Sequence, residues 1–435
     1  MEQIKKIRVV ILCHLSSQEI RSHLILRSLK VENIFRVFLK KRPSQYADNA
    51  PWNLSILKEL EKYDEIEVHV VAPHPGMKKK REDFSLRGVV YHFVQCDSPF
   101  PYNYFRRRTE AKGKEPYKRN RKAIVSIINE IHPDIVNLVG AENPYYASAV
   151  LGLEGYPILL SCQTVYSNPT RKIHDKSFSQ LRWNVEQEIF HKVDFFACLG
   201  PLHRDLVLEY KKDAIVFKMV FPYRPSPKLK EVEKKYDFVY FAQTVSVKKG
   251  ADNAVEALSL VKQHYPDVRL LIVGANTDPF KTVLNNRIEE LGLAENVFFH
   301  DYFPKQEDML QYVKQARFAV LPIKMDIVSG TVLQAMTMGL PVVTHITSGT
   351  PLLNKDAECV LLSEIDDNNQ TANNMMALMG SSELAEKLKQ NSLKYIKTKD
   401  EEAKMAGEKW LAQYKAVFNN YYNNEPVPEE LIYKQ

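Results

Sequence analysis

Glycine is scarce in this chain, with 15 in 435 residues, about half the usual ~7%. The first apolar run, IRVVILCH, is followed by Leu-Ser-Ser-Gln-Glu rather than by a glycine-rich phosphate loop. Long apolar runs are also missing. No stretch approaches the roughly 18 residues of a spanning helix. The start, MEQIKKIRVVILCH, enters a strand almost at once, and no small-residue cleavage site follows, so it does not read as a signal peptide. Cysteine is sparse: Cys13, Cys96, Cys162, Cys198 and Cys359 are odd in number, and no pair has metal-ligand spacing. They read as buried thiols in a reducing cytoplasm, not as a disulfide framework. The twelve histidines are dispersed and no Asp-x-Asp stands out, so no metal site is legible. Solenoid-length repeats and low-complexity tracts are absent as well.

What is present describes a globular protein, 45% hydrophobic and 26% charged. Its length favours two domains. The net charge of +7 is unevenly spread. Lys78-Lys79-Lys80-Arg81 is one basic cluster. A larger one runs from Arg106 to Lys122, interleaved with Tyr102, Tyr104, Phe105 and Tyr117. That 102–122 patch fits a solvated face, an anionic membrane or lipid-phosphate surface, or a nucleic acid. No nucleic-acid motif accompanies it, which ranks the membrane above nucleic acid.

Two α/β halves follow from the pattern. IRVVILCH, EIEVHVVAP, GVVYHFV, PDIVNLVG, YPILLSCQT and DFFACLG are short runs rich in Val, Ile and Phe, several separated by helical segments. That alternation predicts a parallel sheet with helices on both faces. FPYRPSPKLKEVEKKYD is the best linker. A second alternation starts at DFVYFAQT and continues through RLLIVGA, VFFHDYF and FAVLPIK. After Lys394 the pattern is helical to about Tyr422, with Trp410, Tyr414, Phe418 and Tyr422 at helical spacing as packing residues.

The segment from Leu321 to Leu353 says most about chemistry. It predicts a strand end, a polar loop, and a short helix opened by Ser329-Gly330-Thr331 and stopped by Gly339 and Pro341. A buried strand and a loop with Ser348-Gly349-Thr350 come next. Unpaired N–H groups and the dipole at a helix start suit a phosphate, although Ser329 also fits an ordinary N-cap.

From Asp237 to about Ile396 the order of these signals resembles the group 1 glycosyltransferases. These are retaining, sugar-nucleotide-dependent enzymes of the GT-B fold, in family four of the sequence-based classification. The shared signals are Lys249-Gly250 opening a helix, LLIVG ending at Gly274, VFFHDYF, FAVLPIK and QAMTMGLPVV. The N-terminal half resembles the family only in layout. The resemblance implies an α/β chain of GT-B type. Two doubly wound Rossmann-like domains would face each other across a cleft, with the C-terminal helix crossing back. The expected boundaries are 1–220 for the acceptor-side domain, 221–396 for the donor domain and 397–435 for a helical segment packing on the N-terminal domain.

The resemblance also assigns roles. Lys249 and Asp326 become catalytic candidates, and His14 joins them from its own position, since it ends strand one in a loop that should face the cleft. Lys249 would reach the donor diphosphate, where a fixed cation stabilises the charge that builds on the leaving group. Gln243, in Ala242-Gln243, stands where the family has the Arg of a Gly-Arg pair. The family carries two glutamates eight positions apart. Here Asp326 takes the one beside the donor sugar and Gln334 the one on the ribose hydroxyls. Gly274, Ser329, Gly330 and Thr331 complete the donor set. Glu142 and Asn143 follow PDIVNLVG at a strand's carboxyl end, as acceptor or cleft residues or as a helix cap. Gln163 replaces a family histidine that contacts the donor sugar.

The implied activity is that of a hexosyltransferase-like glycosyltransferase. It would move a sugar from a nucleoside diphosphate donor to an acceptor alcohol with retained configuration. No metal or other cofactor is expected, and no nucleic acid. With the basic patch, the expected acceptor is a lipid-linked or surface-polysaccharide intermediate, and the expected place is the cytoplasm, peripheral on the inner membrane face. The neutral or shorter residues at 243, 326 and 334 leave an alternative: a catalytically weak or inactive nucleotide-sugar-binding partner of another glycosyltransferase. An epimerase or hydrolase on the same fold is a third.

Overall fold

In the computed structural model the chain divides into two compact units. The first comprises residues 1–169, 178–223 and 402–435, and the second residues 170–177 and 224–401. The structure describes all residues except 1–5, 39–42, 44, 47, 49, 97–116, 170–171, 173–177, 223–226, 228, 277, 304, 325–327, 348 and 435. Asp326, Ser348 and most of the 102–122 patch lie outside the described residues.

The first unit is an eight-stranded sheet of β1 (Ile7–Leu12), β2 (Ile66–His74), β3 (Arg81–Leu86), β4 (Val89–Gln95), β5 (Ile135–Val139), β6 (Ile158–Ser161), β7 (Phe195–Cys198) and β8 (Ile215–Lys218). Its order is β3-β4-β2-β1-β5-β6-β7-β8. Every pairing is parallel except β3 with β4. Helices α1 (Gln18–Ser22), α2 (Lys30–Phe38), α3 (Pro51–Leu60), α4 (Lys118–Ile131), α5 (Pro144–Ala147), α6 (Gln180–Lys192) and α7 (Pro201–Tyr210) lie between the strands. Alternation along β1 explains why both faces are covered. Val9, Ile11 and Cys13 enter one core, with α3 and the C-terminal helix. Val10 and Leu12 enter the other, with α4 and α6.

The second unit is a six-stranded, wholly parallel sheet of β9 (Tyr236–Val245), β10 (Leu270–Asn276), β11 (Val297–His300), β12 (Ala316–Leu321), β13 (Val342–His345) and β14 (Val360–Ser363). Its order is β11-β10-β9-β12-β13-β14. Its helices are α8 (Ala251–Lys262), α9 (Asp278–Glu290), α10 (Gln306–Val313), α11 (Gly330–Thr337), α12 (Asn368–Gly380) and α13 (Ser382–Lys404). On β9, Phe238 and Tyr240 serve the core under α8 while Val239 and Phe241 serve the opposite one.

Three strands were not evident in the sequence. β3, REDFSL, is an edge strand with a polar, partly exposed pattern, so it lacks an apolar signature. β8 and β14 are only four residues each. The helix expected to run on from Lys394 is interrupted at Met405, and α14 (Ala406–Asn423) follows. The two helices answer to different cores: Leu388 and Ser392 are buried in the second unit, Trp410 and Tyr414 in the first. All five cysteines are free thiols and buried. Among the described residues no helix is long and apolar enough to cross a membrane.

α14 is locked onto the first unit by polar groups as well as by packing. The Trp410 indole donates to the Val220 carbonyl at 2.8 Å, and the Gln413 amide to the Lys218 carbonyl at 2.9 Å. The Tyr414 hydroxyl accepts from Asn137 Nδ2 at 2.8 Å, deep under β5. Asn137 Oδ1 in turn accepts from the Ser161 hydroxyl at 3.0 Å. Tyr414→Phe should cost about 1–3 kcal/mol by orphaning the buried amide, and Trp410→Ala about 3–5 kcal/mol. Urea unfolding of each variant, followed by circular dichroism, measures both losses.

Candidate functional site

Each sheet has one place where strand order reverses: between β1 and β5 in the first unit, and between β9 and β12 in the second. Loops leaving neighbouring strands there run to opposite faces and open a crevice at the strands' carboxyl ends, where such folds take ligands.

In the first unit the structure brings four sequence-derived candidates together. His14 after β1, Glu142 and Asn143 after β5, and Gln163 after β6 line one cavity of about 200 Å³ with Ala50, Trp52, Asn53 and Tyr146. Asn53, on α3, organises it. Its Nδ2 donates to the His14 carbonyl at 2.9 Å, and its Oδ1 accepts from Gln163 Nε2 at 3.4 Å. The Tyr145 hydroxyl is hydrogen-bonded to His14 Nδ1. Asn143 occupies the N-cap position of α5, but its side chain does not cap. Its Nδ2 instead donates to Glu142 Oε1 at 3.1 Å. Arg182 Nε donates to the Glu142 carbonyl at 2.6 Å, and its guanidinium lies 4.2 Å over the Tyr166 ring. Trp52, Asn53 and Tyr145 escaped the sequence reading. They sit on helices next to the crevice, and nothing in NAPWNLS or NPYYA marks them. Neighbouring Cys13 offers no nucleophile, because burial pushes its thiol up to about 12.

In the second unit the candidates occupy the carboxyl edge of neighbouring strands. Gln243 is exposed near the end of β9, and Lys249 closes the short 3₁₀ turn Val247–Lys249. Two glycines fix this edge. Gly250 has φ +74°, and a Cβ there would lie 1.8 Å from the Pro322 carbonyl oxygen. Gly274 has φ +144°, and a Cβ there would lie 2.0 Å from the Ala242 carbonyl oxygen. No other residue fits either position. The sequence-level stop of α11 also holds: Met338 is the C-cap and Gly339 takes φ +70°. Ser329 stands at the N-cap, yet its hydroxyl pairs with Thr331 Oγ1 at 2.9 Å and leaves the helix N–H groups uncapped by it. Gly330 is exposed, while Thr331 and Gln334 are half-buried.

One element of this edge was not foreseen. Lys324, just after β12, has its amine buried between Asp366 at 2.6 Å and Asp252 at 3.2 Å. Its backbone N–H donates to the Lys248 carbonyl at 3.2 Å, tying the β12 loop to the turn that carries Lys249. Asn253 Nδ2 adds bonds to Asp366 and Asn368. Burial acts to raise the Asp366 carboxyl, but the Lys324 ammonium and Asn253 outweigh it and hold the group below its usual range. His345, at the end of β13, is fully buried, and neither ring nitrogen has a hydrogen-bond partner among the described residues. Burial, with Lys324 adding to it, lowers its pKa to about 4. Asn276, at the end of β10, is likewise buried, with its amide unpartnered among the described residues.

This two-unit, mostly parallel arrangement is the GT-B fold. Sucrose-phosphate synthase from Thermosynechococcus elongatus superposes with a TM-score of 0.65 at 13% identity, over 95% of this chain and 100% of that one. The E. coli trehalose-6-phosphate protein bound with UDP-2-fluoro glucose gives 0.62 at 9%, over 94% and 99%. Anabaena HepE in complex with UDP and glucose gives 0.61 at 12%, over 93% and 99%. At such identities the likeness establishes the fold alone. No curated protein matches the chain significantly in sequence. Residues 225–395 do match the model of the family described as glycosyl transferases group 1.

The buried charges predict an acid-sensitive second unit. His345 is neutral when folded but protonates near 6.5 when unfolded, so the unfolded state binds more protons between about pH 6.5 and 4. Stability therefore falls as pH drops through that window. The depressed Asp366 carboxyl adds a further loss below the usual carboxylate range. Thermal melts from pH 8 to 4 should show His345→Gln flattening the loss between about pH 6.5 and 4 and sparing the later one.

Proposed function

We propose that the protein transfers a sugar from a uridine diphosphate sugar to an acceptor hydroxyl with retention of configuration. The observation that carries this reading is the donor edge of the second unit, where Lys249 is fixed by the Gly250 close approach and the Lys324 tie, within the segment that matches the group 1 family. Neighbours bound with UDP-2-fluoro glucose or in complex with UDP and glucose support uridine as the base.

In this reading the bond from the sugar's anomeric carbon to the β-phosphate oxygen breaks as a bond to the acceptor oxygen forms. The acceptor proton passes to the leaving phosphate. Lys249 and the N–H groups at Gly330 and Thr331 stabilise the charge growing on the diphosphate. Gln243 hydrogen-bonds a phosphate, Gln334 the ribose diol and Asp326 the sugar hydroxyls. No metal is required, because lysine and helix start take its place. The cavity around His14, Glu142, Asn143 and Gln163 receives the acceptor, with a lipid-linked or surface-glycan alcohol the preferred class. The neutral residues at 243 and 334 favour a second reading, a nucleotide-sugar-binding partner without turnover.

A thermal-shift panel of UDP, GDP, ADP and CMP tests the donor. UDP at about 100 times its Kd should stabilise the protein by about 2.7 kcal/mol, and Lys249→Ala should abolish the shift. Release of UDP from UDP-glucose with an acceptor, reduced on the order of 10²–10³-fold in Lys249→Ala, separates transfer from binding alone.

A further inference from the structure

We propose that α2 is a membrane-docking helix that sets its apolar face into the surface of an anionic lipid bilayer. Val31, Ile34, Phe35 and Phe38 recur at the spacing of one helix side. That side faces solvent: Val31 is 63% exposed, Ile34 69% and Phe38 86%. The polar residues Glu32, Asn33 and Arg36 are the half-buried ones, and no residue of the helix is buried. The orientation is the reverse of an ordinary surface helix such as α4, which buries Ile124, Ile127, Ile128 and Ile131. At nine residues, α2 is too short to span a bilayer and suits its interface.

Charge decides the occupant. From Arg27 to Arg42 the sequence has six basic residues and a single acid, Glu32. A second basic group lies beside the segment that leads into α2. The Lys78 N–H donates to the Ile25 carbonyl at 2.9 Å, and Leu26 bridges Met77, so exposed Lys78, Lys79 and Lys80 lie beside the segment leading into α2. An anionic bilayer satisfies an apolar face and a basic rim together. A second copy would bring like charges face to face in a two-fold contact. The proposal concerns the first unit and does not rest on the donor reading.

Flotation of the full chain tests it, with vesicles of phosphatidylcholine alone and of phosphatidylcholine with phosphatidylglycerol. The chain should float with the anionic vesicles, poorly with the neutral ones, and less in high salt. Ile34→Glu/Phe38→Glu changes only exposed positions and should keep its melting temperature. It should lower the apparent partition coefficient at least roughly tenfold. Lys78→Glu/Lys80→Glu should reduce the preference for anionic lipid. The proposal is overturned if the chain floats with neither vesicle, if it floats equally with both, or if Ile34→Glu/Phe38→Glu floats undiminished. A dimer in light scattering that this variant dissociates, without flotation of the parent, would assign the face to self-association instead.

Discussion

Two backbone approaches with no room for a side chain hold the second unit's working edge together. The turn after β9 meets the β12 loop at Gly250 and Pro322, and β10 meets β9 at Gly274 and Ala242. A hydrogen bond from Lys324 to Lys248 and the buried triad of Lys324 with Asp252 and Asp366 complete the clamp. Lys249 owes its place to this clamp, since it is the last residue before the glycine that makes the approach possible. In a chain with so few glycines, two of them are placed where nothing else fits.

The first unit solves the same topological problem by other means. Its loop after β1 has no glycine, and Ser17 caps a helix of only five residues. Such a loop offers little to a phosphate, and its crevice is organised by side chains instead: Asn53 joins His14 to Gln163, and Tyr145 holds the His14 ring. The polar lining of that cavity includes the Glu142 carboxylate and no lysine or arginine among the described residues, which suits hydroxyl groups better than a diphosphate. The two switch points therefore differ in chemistry while sharing a topology.

Much of this was legible in the sequence because parallel strands buried on both faces leave continuous Val, Ile and Phe runs. The long strands β1, β2 and β9 announced themselves this way. β3 did not, since an edge strand alternates with polar residues and needs its neighbour to define it. The crevice residues reached by strand position, His14, Glu142 and Asn143, converge on one cavity with Gln163, which was reached through the family's pattern. Those contributed from helices, Trp52, Asn53 and Tyr145, carry no periodic signal and are visible only once the chain is folded. Lys324 was hidden for a related reason. A lysine after a strand reads as solvated, and its burial follows from two carboxylates, Asp252 and Asp366, 72 and 42 positions away in the chain. α2 was not read from the sequence either, and its apolar spacing alone cannot say which face is outward.

The altered residues of the donor edge need to be judged together and not one at a time. Against the family pattern, Gln243 removes a positive charge and Gln334 removes a negative one, while Asp326 keeps the charge of a glutamate. The formal sum over the three positions is unchanged. Lys324 adds nothing to that sum for a ligand, because two carboxylates already surround its amine. Under the proposed donor reading, the charge offered to a diphosphate rests on Lys249 and on the start of α11, whose N–H groups the Ser329 side chain leaves uncapped.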